Sequence, residues 1–234
     1  MEDVPDPRRA LRMAIGSGEG TSVVEALADV ELSEIAQLAG EALLVALSQH
    51  VDRARTTSES CIGVLRERGF DGDDVLSEQL EIAIGRREGS DLRSVPIDLE
   101  ELSWVLEGEG EGRVDLATGE VFPMSVLDDD EEWEEDFDND TGRWLYVYGD
   151  DSSEGYRDME DFIATVEDEG LADRLSIAIS GKGAFRRFKD VISRSLEEET
   201  RWYVFSEERQ RGRARSWLRS EGILALPKPH RAKG

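Results

Sequence analysis

The sequence predicts an α+β fold, in which a helical N-terminal region is followed by a small antiparallel sheet packed with several helices. Apolar residues recur at intervals of three and four over most of the first 95 positions and again after Met159, which is typical of amphipathic helices. Between these stretches, short apolar and aromatic runs flank a glycine-containing loop, which is typical of a hairpin. We expect a helical region over residues 1–95, an acidic α+β domain over residues 96–226 and a flexible tail over residues 227–234.

The N-terminal region is predicted to contain four helices. Ser22 followed three residues later by Glu25 forms a capping box, which marks a helix start. A second helix is predicted over residues 33–55, and its middle at residues 42–47 is apolar on every side, so we expect it to be buried. Two shorter helices follow, separated by a turn at residues 69–72. Their apolar positions are Ile62, Leu65, Leu76, Leu80 and Ile84.

The middle of the chain changes from helical to extended patterning. We expect a domain boundary at Val95–Pro96, because a residue before proline disfavours the helical conformation. Asp98 is placed to cap a short helix directly after it. Strands on either side of residues 117–119 form the predicted hairpin, and residues 144–148 form a third strand. Helical patterning then returns, with apolar positions at Met159, Phe162, Ile163, Val166, Phe185, Phe188, Ile192, Tyr203, Ala214, Trp217 and Leu218.

Charge is distributed very unevenly along this acidic chain of 234 residues, whose formal net charge is −26. Residues 1–95 hold 19 acidic and 10 basic residues, residues 96–180 hold 28 and 4, and residues 181–234 hold 7 and 14. The middle segment repels phosphate backbones and anionic membranes, whereas the C-terminal segment attracts them. We therefore expect a basic protein as partner, and neither nucleic acid nor a membrane.

Cysteine content and hydropathy predict a cytoplasmic protein. Cys61 is the single cysteine, so no disulfide can form within the chain. The first residues lack the apolar run of a signal peptide, and no stretch of the sequence is apolar for long enough to span a membrane. The oligomeric state does not follow from these features.

Several patterns resemble known sites, and each fails on its spacing or its neighbours. The glycines at residues 16–20 follow no strand and precede no Lys-Ser or Lys-Thr pair, unlike a phosphate-binding loop. Residues 33–40 resemble the start of a helix-turn-helix, but acidic and apolar residues follow in place of basic ones. The aspartates at residues 71–74 begin like a calcium loop and lack its later ligands, so we expect a solvated turn. His50 and Cys61 have no partner at ligand spacing. We predict no metal site and no cofactor, and the sequence identifies no catalytic residue.

The least ordinary stretch is the run from Asp128 to Asp140, which holds ten acidic residues and two aromatic ones. One interpretation is a solvated loop that self-repulsion keeps open. The other is a binding element, because a helix here would place Trp133 and Phe137 on one face among carboxylates, which suits a basic-rimmed groove on a partner. Trp133 and Phe137 are therefore candidate partner-binding residues.

A basic segment near the start of a predicted helix is a candidate anion site. Lys182, Arg186 and Arg187 accompany the backbone amides of a helix N-terminus, which together suit an anion such as phosphate. In the alternative interpretation, Phe185 and Phe188 of the same segment are core residues. The cations then neutralise the acidic middle of the chain.

The last predicted helix carries a stripe of arginines. Arg211, Arg215 and Arg219 recur every four residues and so lie on one face. They are candidate partner-binding residues. Charge alone leaves open whether their partner is another protein or the acidic part of this chain.

From residue 96 to about residue 226, the order of these features resembles an uncharacterised bacterial protein family of unknown function, number 0158 in its series. The features shared are the short acidic helix, the hairpin, the acidic loop and the aromatic positions of the later helices. The most specific is the string Gly-Ala-Phe-Arg-Arg-Phe-Lys-Asp at residues 183–190. The resemblance implies a related fold and leaves the function unknown. Residues 1–95 lie outside it.

These patterns favour a non-enzymatic binding or regulatory protein that acts through charged surfaces. One alternative is a phosphate- or nucleotide-handling enzyme that uses residues 181–189 with carboxylates around a divalent metal. Another is an acidic mimic of nucleic acid that occupies the groove of a basic protein.

Overall fold

The computed structural model describes residues 6–108, 111–124, 142–149 and 153–229. Over these residues the chain forms α-helices, a three-stranded antiparallel sheet and a parallel pair of short strands. The predicted α+β fold is therefore confirmed.

The elements follow one another in three groups along the chain. The N-terminal helices are α1 (Pro7–Ser17), α2 (Gly20–Ala26), α3 (Ala36–Ser48), α4 (Ala54–Arg68) and α5 (Asp73–Ala83), with a 3-10 turn at Leu32–Glu34. Next come β1 (Arg93–Pro96), α6 (Leu99–Leu106), β2 (Glu111–Asp115), β3 (Glu120–Pro123) and β4 (Trp144–Tyr148). The last group is α7 (Ser153–Ile163), α8 (Glu169–Ala178), α9 (Ala184–Ile192), α10 (Leu196–Ser220) and β5 (Ile223–Leu226).

Helix α3 lies at the centre of the N-terminal core. Ala42, Leu43 and Ala46 are fully buried, because residues 42–47 are apolar on every side of the helix and the other N-terminal helices surround it. Gly40 allows α5 to approach, since a Cβ at this position would lie 2.6 Å from the Leu76 side chain. The prediction that the middle of this helix is buried is confirmed.

Three details of the N-terminal region differ from the sequence prediction. Helix α1 has no predicted counterpart. The predicted capping box is wrong, because α2 begins at Gly20 and Ser22 lies inside it. The single helix predicted over residues 33–55 is interrupted after α3, where His50 and Arg53 have φ values of 55° and 70°. Positive φ ends a right-handed helix.

The antiparallel sheet has the strand order β3-β2-β4. Val114 of β2 lies opposite Val121 of β3 and Leu145 of β4, and these side chains pack on the core together with buried Val147. Gly119, at φ 72°, completes the turn between β2 and β3. The predicted hairpin and third strand are confirmed.

Strands β1 and β5 form a parallel pair that the sequence does not predict. Val95 lies opposite Ala225, so the predicted boundary at Val95–Pro96 falls inside a strand. Each strand has only four residues, which is too short for an alternating pattern to be recognised. The division into two domains stays a prediction.

Helix α10 contributes residues to the three largest hydrophobic clusters of the described chain. Val204 packs against the N-terminal core, Trp202 belongs to the core of α7, α8 and α9, and Ala214 and Leu218 lie under the sheet. A Cβ on Gly212 would lie 2.0 Å from the Asp71 carbonyl oxygen. The turn before α5 therefore rests directly on the backbone of α10.

Candidate functional site

A groove of about 710 Å³ runs along the C-terminal half of α10. Its other walls come from the ends of α6 and β4 and from the starts of α7 and α9. The residues that characterise it are Asp71, Leu106, Glu107, Tyr148, Glu154, Gly155, Phe185, Gln210, Arg213 and Trp217. Because these residues come from distant parts of the sequence, only the folded chain brings them together.

Aromatic rings form one part of the groove wall. Tyr148 is 61% exposed and Phe185 is 39% exposed, and Trp217 is partly buried beside them. Gly155 leaves room for the Phe185 ring, since a Cβ on Gly155 would lie 2.9 Å from Phe185 Cε1. The rings thus offer an open apolar surface rather than a filled core.

The interpretation of Phe185 as a core residue is wrong, whereas Phe188 is 1% exposed and belongs to the core. Both phenylalanines lie on α9 at a spacing that places them on one side of the helix. Phe185 lies in the first turn of this nine-residue helix, beyond the edge of the core that Phe188 enters.

Carboxylates and one arginine supply the charged groups of the groove. Arg213 donates from Nε to Glu107 at 3.0 Å and from Nη2 to Asp158 at 2.9 Å. Burial lowers the pKa of Arg213, but its hydrogen bonds and charge interactions with these acids outweigh this effect, so its pKa is raised. Arg213 is thus committed to internal partners. Asp71 adds further negative charge to the lining, whereas Glu154 accepts a hydrogen bond from Arg157.

The arginine stripe of α10 points towards the N-terminal helices. Arg211 donates to Glu41, Glu100 and Glu207 at 3.1, 2.9 and 3.1 Å, and its side chain is 4% exposed. The sequence left open whether this stripe has an internal or an external partner. For Arg211, the structure shows internal partners.

The other two arginines of the stripe also bind groups within the chain. Arg215, which is buried, donates to the side-chain oxygens of Gln37 at 3.0 Å and Gln79 at 2.7 Å. Arg219 is less buried and donates to Glu78 at 2.8 Å. The stripe therefore joins α10 to α3 and α5.

Two buried carboxylates, Glu41 and Glu208, lie where α10 meets the N-terminal helices. Burial raises the pKa of Glu41 despite the nearby charges of Arg211 and Arg215. Burial likewise raises the pKa of Glu208, whose carboxylate accepts hydrogen bonds from Arg68 and from the backbone N–H groups of residues 37 and 38. The hydrogen bonds of these carboxylates join the N-terminal helices to α10.

The three candidate anion-binding residues have different surroundings in the structure. Arg187 turns towards the backbone and donates to the carbonyl oxygens of Ala178 and Ser180, each at 2.8 Å, and of Gly181 at 3.2 Å. Arg186 is 90% exposed and lies 4.0 Å from Asp190, and Lys182 is exposed. Arg187 therefore holds the loop between α8 and α9 together.

The remaining predicted sites have different outcomes. The run from Asp128 to Asp140, with Trp133 and Phe137, lies outside the described residues. The expected solvated turn is wrong for Asp73, which is 1% exposed and accepts hydrogen bonds from Arg68 at 2.8 and 3.0 Å.

Within the described ranges, no group of three or more His, Cys, Asp or Glu side chains is placed to hold a metal ion. Nor does any helix there have the length and apolarity to cross a membrane.

Sequence reasoning missed most of the groove. The helical spacing of Trp217 and Phe185 indicates core positions, whereas both side chains line the groove. A usable signal existed at Tyr148: since Val147 is apolar and side chains alternate along a strand, Tyr148 is expected on the opposite face from the core.

Comparisons with known proteins find similarity over the second half of the chain. The model of the Uncharacterised protein family (UPF0158) matches residues 96–227. A UPF0158 protein of Pseudomonas aeruginosa is 28% identical over 133 residues, which cover 56% of this chain and 87% of that protein. No solved structure matches. Of the groove residues named above, only Asp71 lies outside the matched segment.

Proposed function

The chain belongs to the Uncharacterised protein family (UPF0158), and we propose that it is a non-enzymatic binding protein whose groove along α10 holds an arginine-rich segment of a basic partner protein. The observation that carries the proposal is the composition of the groove. Open aromatic rings stand beside carboxylates, and the arginine among the lining residues is already paired with acids of the same chain.

Charge favours a basic partner over an acidic one. The chain carries a net charge of −26, so its long-range field attracts cations and repels nucleic acid. Near the groove, Glu107 and Asp158 share Arg213, and Glu154 pairs with Arg157. The exposed Asp71 adds negative charge. A guanidinium group that enters the groove therefore finds carboxylates to which it can donate.

The aromatic rings favour arginine over lysine. A guanidinium group is planar and less strongly hydrated than an ammonium group, so it stacks better on aromatic faces. The same chain already contains such a pair, because Arg113 lies 3.8 Å from the centroid of the Tyr146 ring on the neighbouring part of β4. Tyr148 and Phe185 offer comparable faces inside the groove.

The proposal is tested with two labelled peptides of equal length and charge, one of alternating arginine and glycine and one of alternating lysine and glycine. Fluorescence anisotropy at about 0.15 M salt should show tighter binding of the arginine peptide. Tyr148→Ala and Phe185→Ala should each weaken that binding by about three- to tenfold, which corresponds to one cation–π contact.

A matched control separates the groove from general electrostatic attraction. Tyr203→Ala removes a ring that is 52% exposed on α10 and does not line the groove, so it should leave binding unchanged. Equal affinity for both peptides, together with no effect of the groove variants, would show that the net charge alone attracts them and would refute the proposal.

A further inference from the structure

A second cavity of about 310 Å³ lies where the N-terminal helices meet α7 and α10. Three aromatic rings surround it. The Phe70 and Phe205 centroids are 5.8 Å apart, and those of Phe162 and Phe205 are 5.7 Å apart. Val204 completes the apolar wall. The size and mainly apolar lining are typical of a site for a small organic molecule.

Three hydroxyl groups line this cavity, and each donates its hydrogen within the chain. Thr200 Oγ1 donates to the Leu196 carbonyl at 2.8 Å, and Thr165 Oγ1 donates to the Phe162 carbonyl at 2.8 Å. Ser33 Oγ donates to Glu31 at 3.1 Å. A hydroxyl oxygen keeps lone pairs when its hydrogen is used. The cavity therefore offers hydrogen-bond acceptors to a ligand that carries a donor.

Both arginines of the lining are paired with carboxylates of the chain, and the lining also contains an exposed acidic residue, Glu34. Arg68 Nη1 donates to Glu208 at 2.9 Å, and Arg201 Nη1 donates to Glu198 at 2.7 Å. An anionic ligand would have to enter a mainly apolar space in which each arginine is already paired, which is unfavourable. The cavity thus suits an uncharged molecule better than an anion.

We propose that this cavity binds a small, uncharged aromatic molecule that carries an N–H or O–H group. The ring of such a molecule packs edge-to-face against Phe70 and Phe205, which are partly buried, and its donor reaches one of the lining hydroxyl oxygens. The site is separate from the groove along α10, because the two sets of lining residues do not overlap.

Indole is the probe, and 1-methylindole is its matched control, because methylation removes the N–H donor and keeps the rings. Isothermal titration calorimetry on the full chain should show saturable binding of indole, with 1-methylindole weaker by about two- to tenfold. Indole-3-carboxylate should bind more weakly than indole because it is charged.

Substitutions on α10 locate the binding site. Thr200→Trp should fill the cavity and reduce indole binding by at least tenfold, whereas Leu196→Trp, at a position 79% exposed and outside the cavity, should leave it unchanged. If circular dichroism shows that Thr200→Trp is misfolded, Val204→Phe fills the same space and decides the question. Absence of saturable binding by the wild type, or undiminished binding by a folded cavity-filling variant, would overturn the proposal.

Discussion

Replacement of Arg211 by methionine tests the buried ionic network that joins α10 to the N-terminal helices. Methionine keeps much of the side-chain volume and removes the charge. Glu41 then loses the hydrogen bond from Arg211 Nη1, which measures 3.1 Å in the wild type. Because Glu41 is buried, its carboxylate remains in an environment that disfavours its ionised form.

The expected loss is about 3 kcal/mol of unfolding free energy at pH 7. Removal of one member of a buried ion pair costs about 3–5 kcal/mol. The lower end applies here, because Arg215 Nη2 stays 3.7 Å from Glu41 and retains part of the attraction. A stability of about 5–15 kcal/mol is typical of folded proteins, so the loss is large enough to measure.

The loss should depend on pH in a defined direction. Burial raises the pKa of Glu41, and removal of Arg211 raises it further. A carboxyl group whose pKa is raised on folding contributes most stability below its unfolded pKa, and this contribution is lost as the pH rises through the folded value. The variant should therefore be penalised more at pH 8 than at pH 5.

Urea denaturation, followed by tryptophan fluorescence at both pH values, measures these differences. Adding Glu41→Gln to Arg211→Met should restore at least about 2 kcal/mol, because it removes the unpaired charge. Arg219→Met is the control, since its pair with Glu78 is less buried and should contribute at most about 1 kcal/mol. If Arg211→Met is as stable as the wild type at both pH values, the network does not stabilise the fold as described.

Three further predictions concern other parts of the fold. Gly72→Ala should lower the free energy of unfolding by well over ~1 kcal/mol, because the added Cβ would lie 2.1 Å from the Gly212 carbonyl oxygen. Gly69→Ala is the control, since Gly69 also has a positive φ but open space around it, and it should lower the free energy of unfolding by only about 1 kcal/mol. Thermal or urea unfolding measures both losses. The Cys61 thiol, whose pKa burial raises to about 12, should react with a disulfide reagent only after denaturation, and rapid reaction of the native protein would contradict its burial. Burial raises the pKa of Asp115, but the hydrogen bonds that its carboxylate accepts from Arg143 and from the Ala117 N–H lower it overall. Asp115→Asn should therefore lower the free energy of unfolding by about 1–3 kcal/mol at neutral pH, and by less as the pH falls below about 4. A loss that is constant with pH would argue against an ionised Asp115.

Local patterns in the sequence determined the fold class and much of the secondary structure. Asp98 caps α6 through hydrogen bonds from the backbone N–H groups of residues 100 and 101, and the hairpin turns at Gly119. These features depend on neighbours a few residues away, so they can be recognised without the fold. The string at residues 183–190 likewise indicated the family that the comparison shows.

Tertiary structure alone decided which charged and aromatic groups are available to a ligand. The spacing of Arg211 and Arg215 placed them on one face of α10, but only the packing of α3 against that face buried them among Glu41 and Gln37. Phe185 and Phe188 have similar local patterns and opposite exposures, because the core ends between them. Burial depends on residues far away in the sequence, and periodicity along one element carries no information about them.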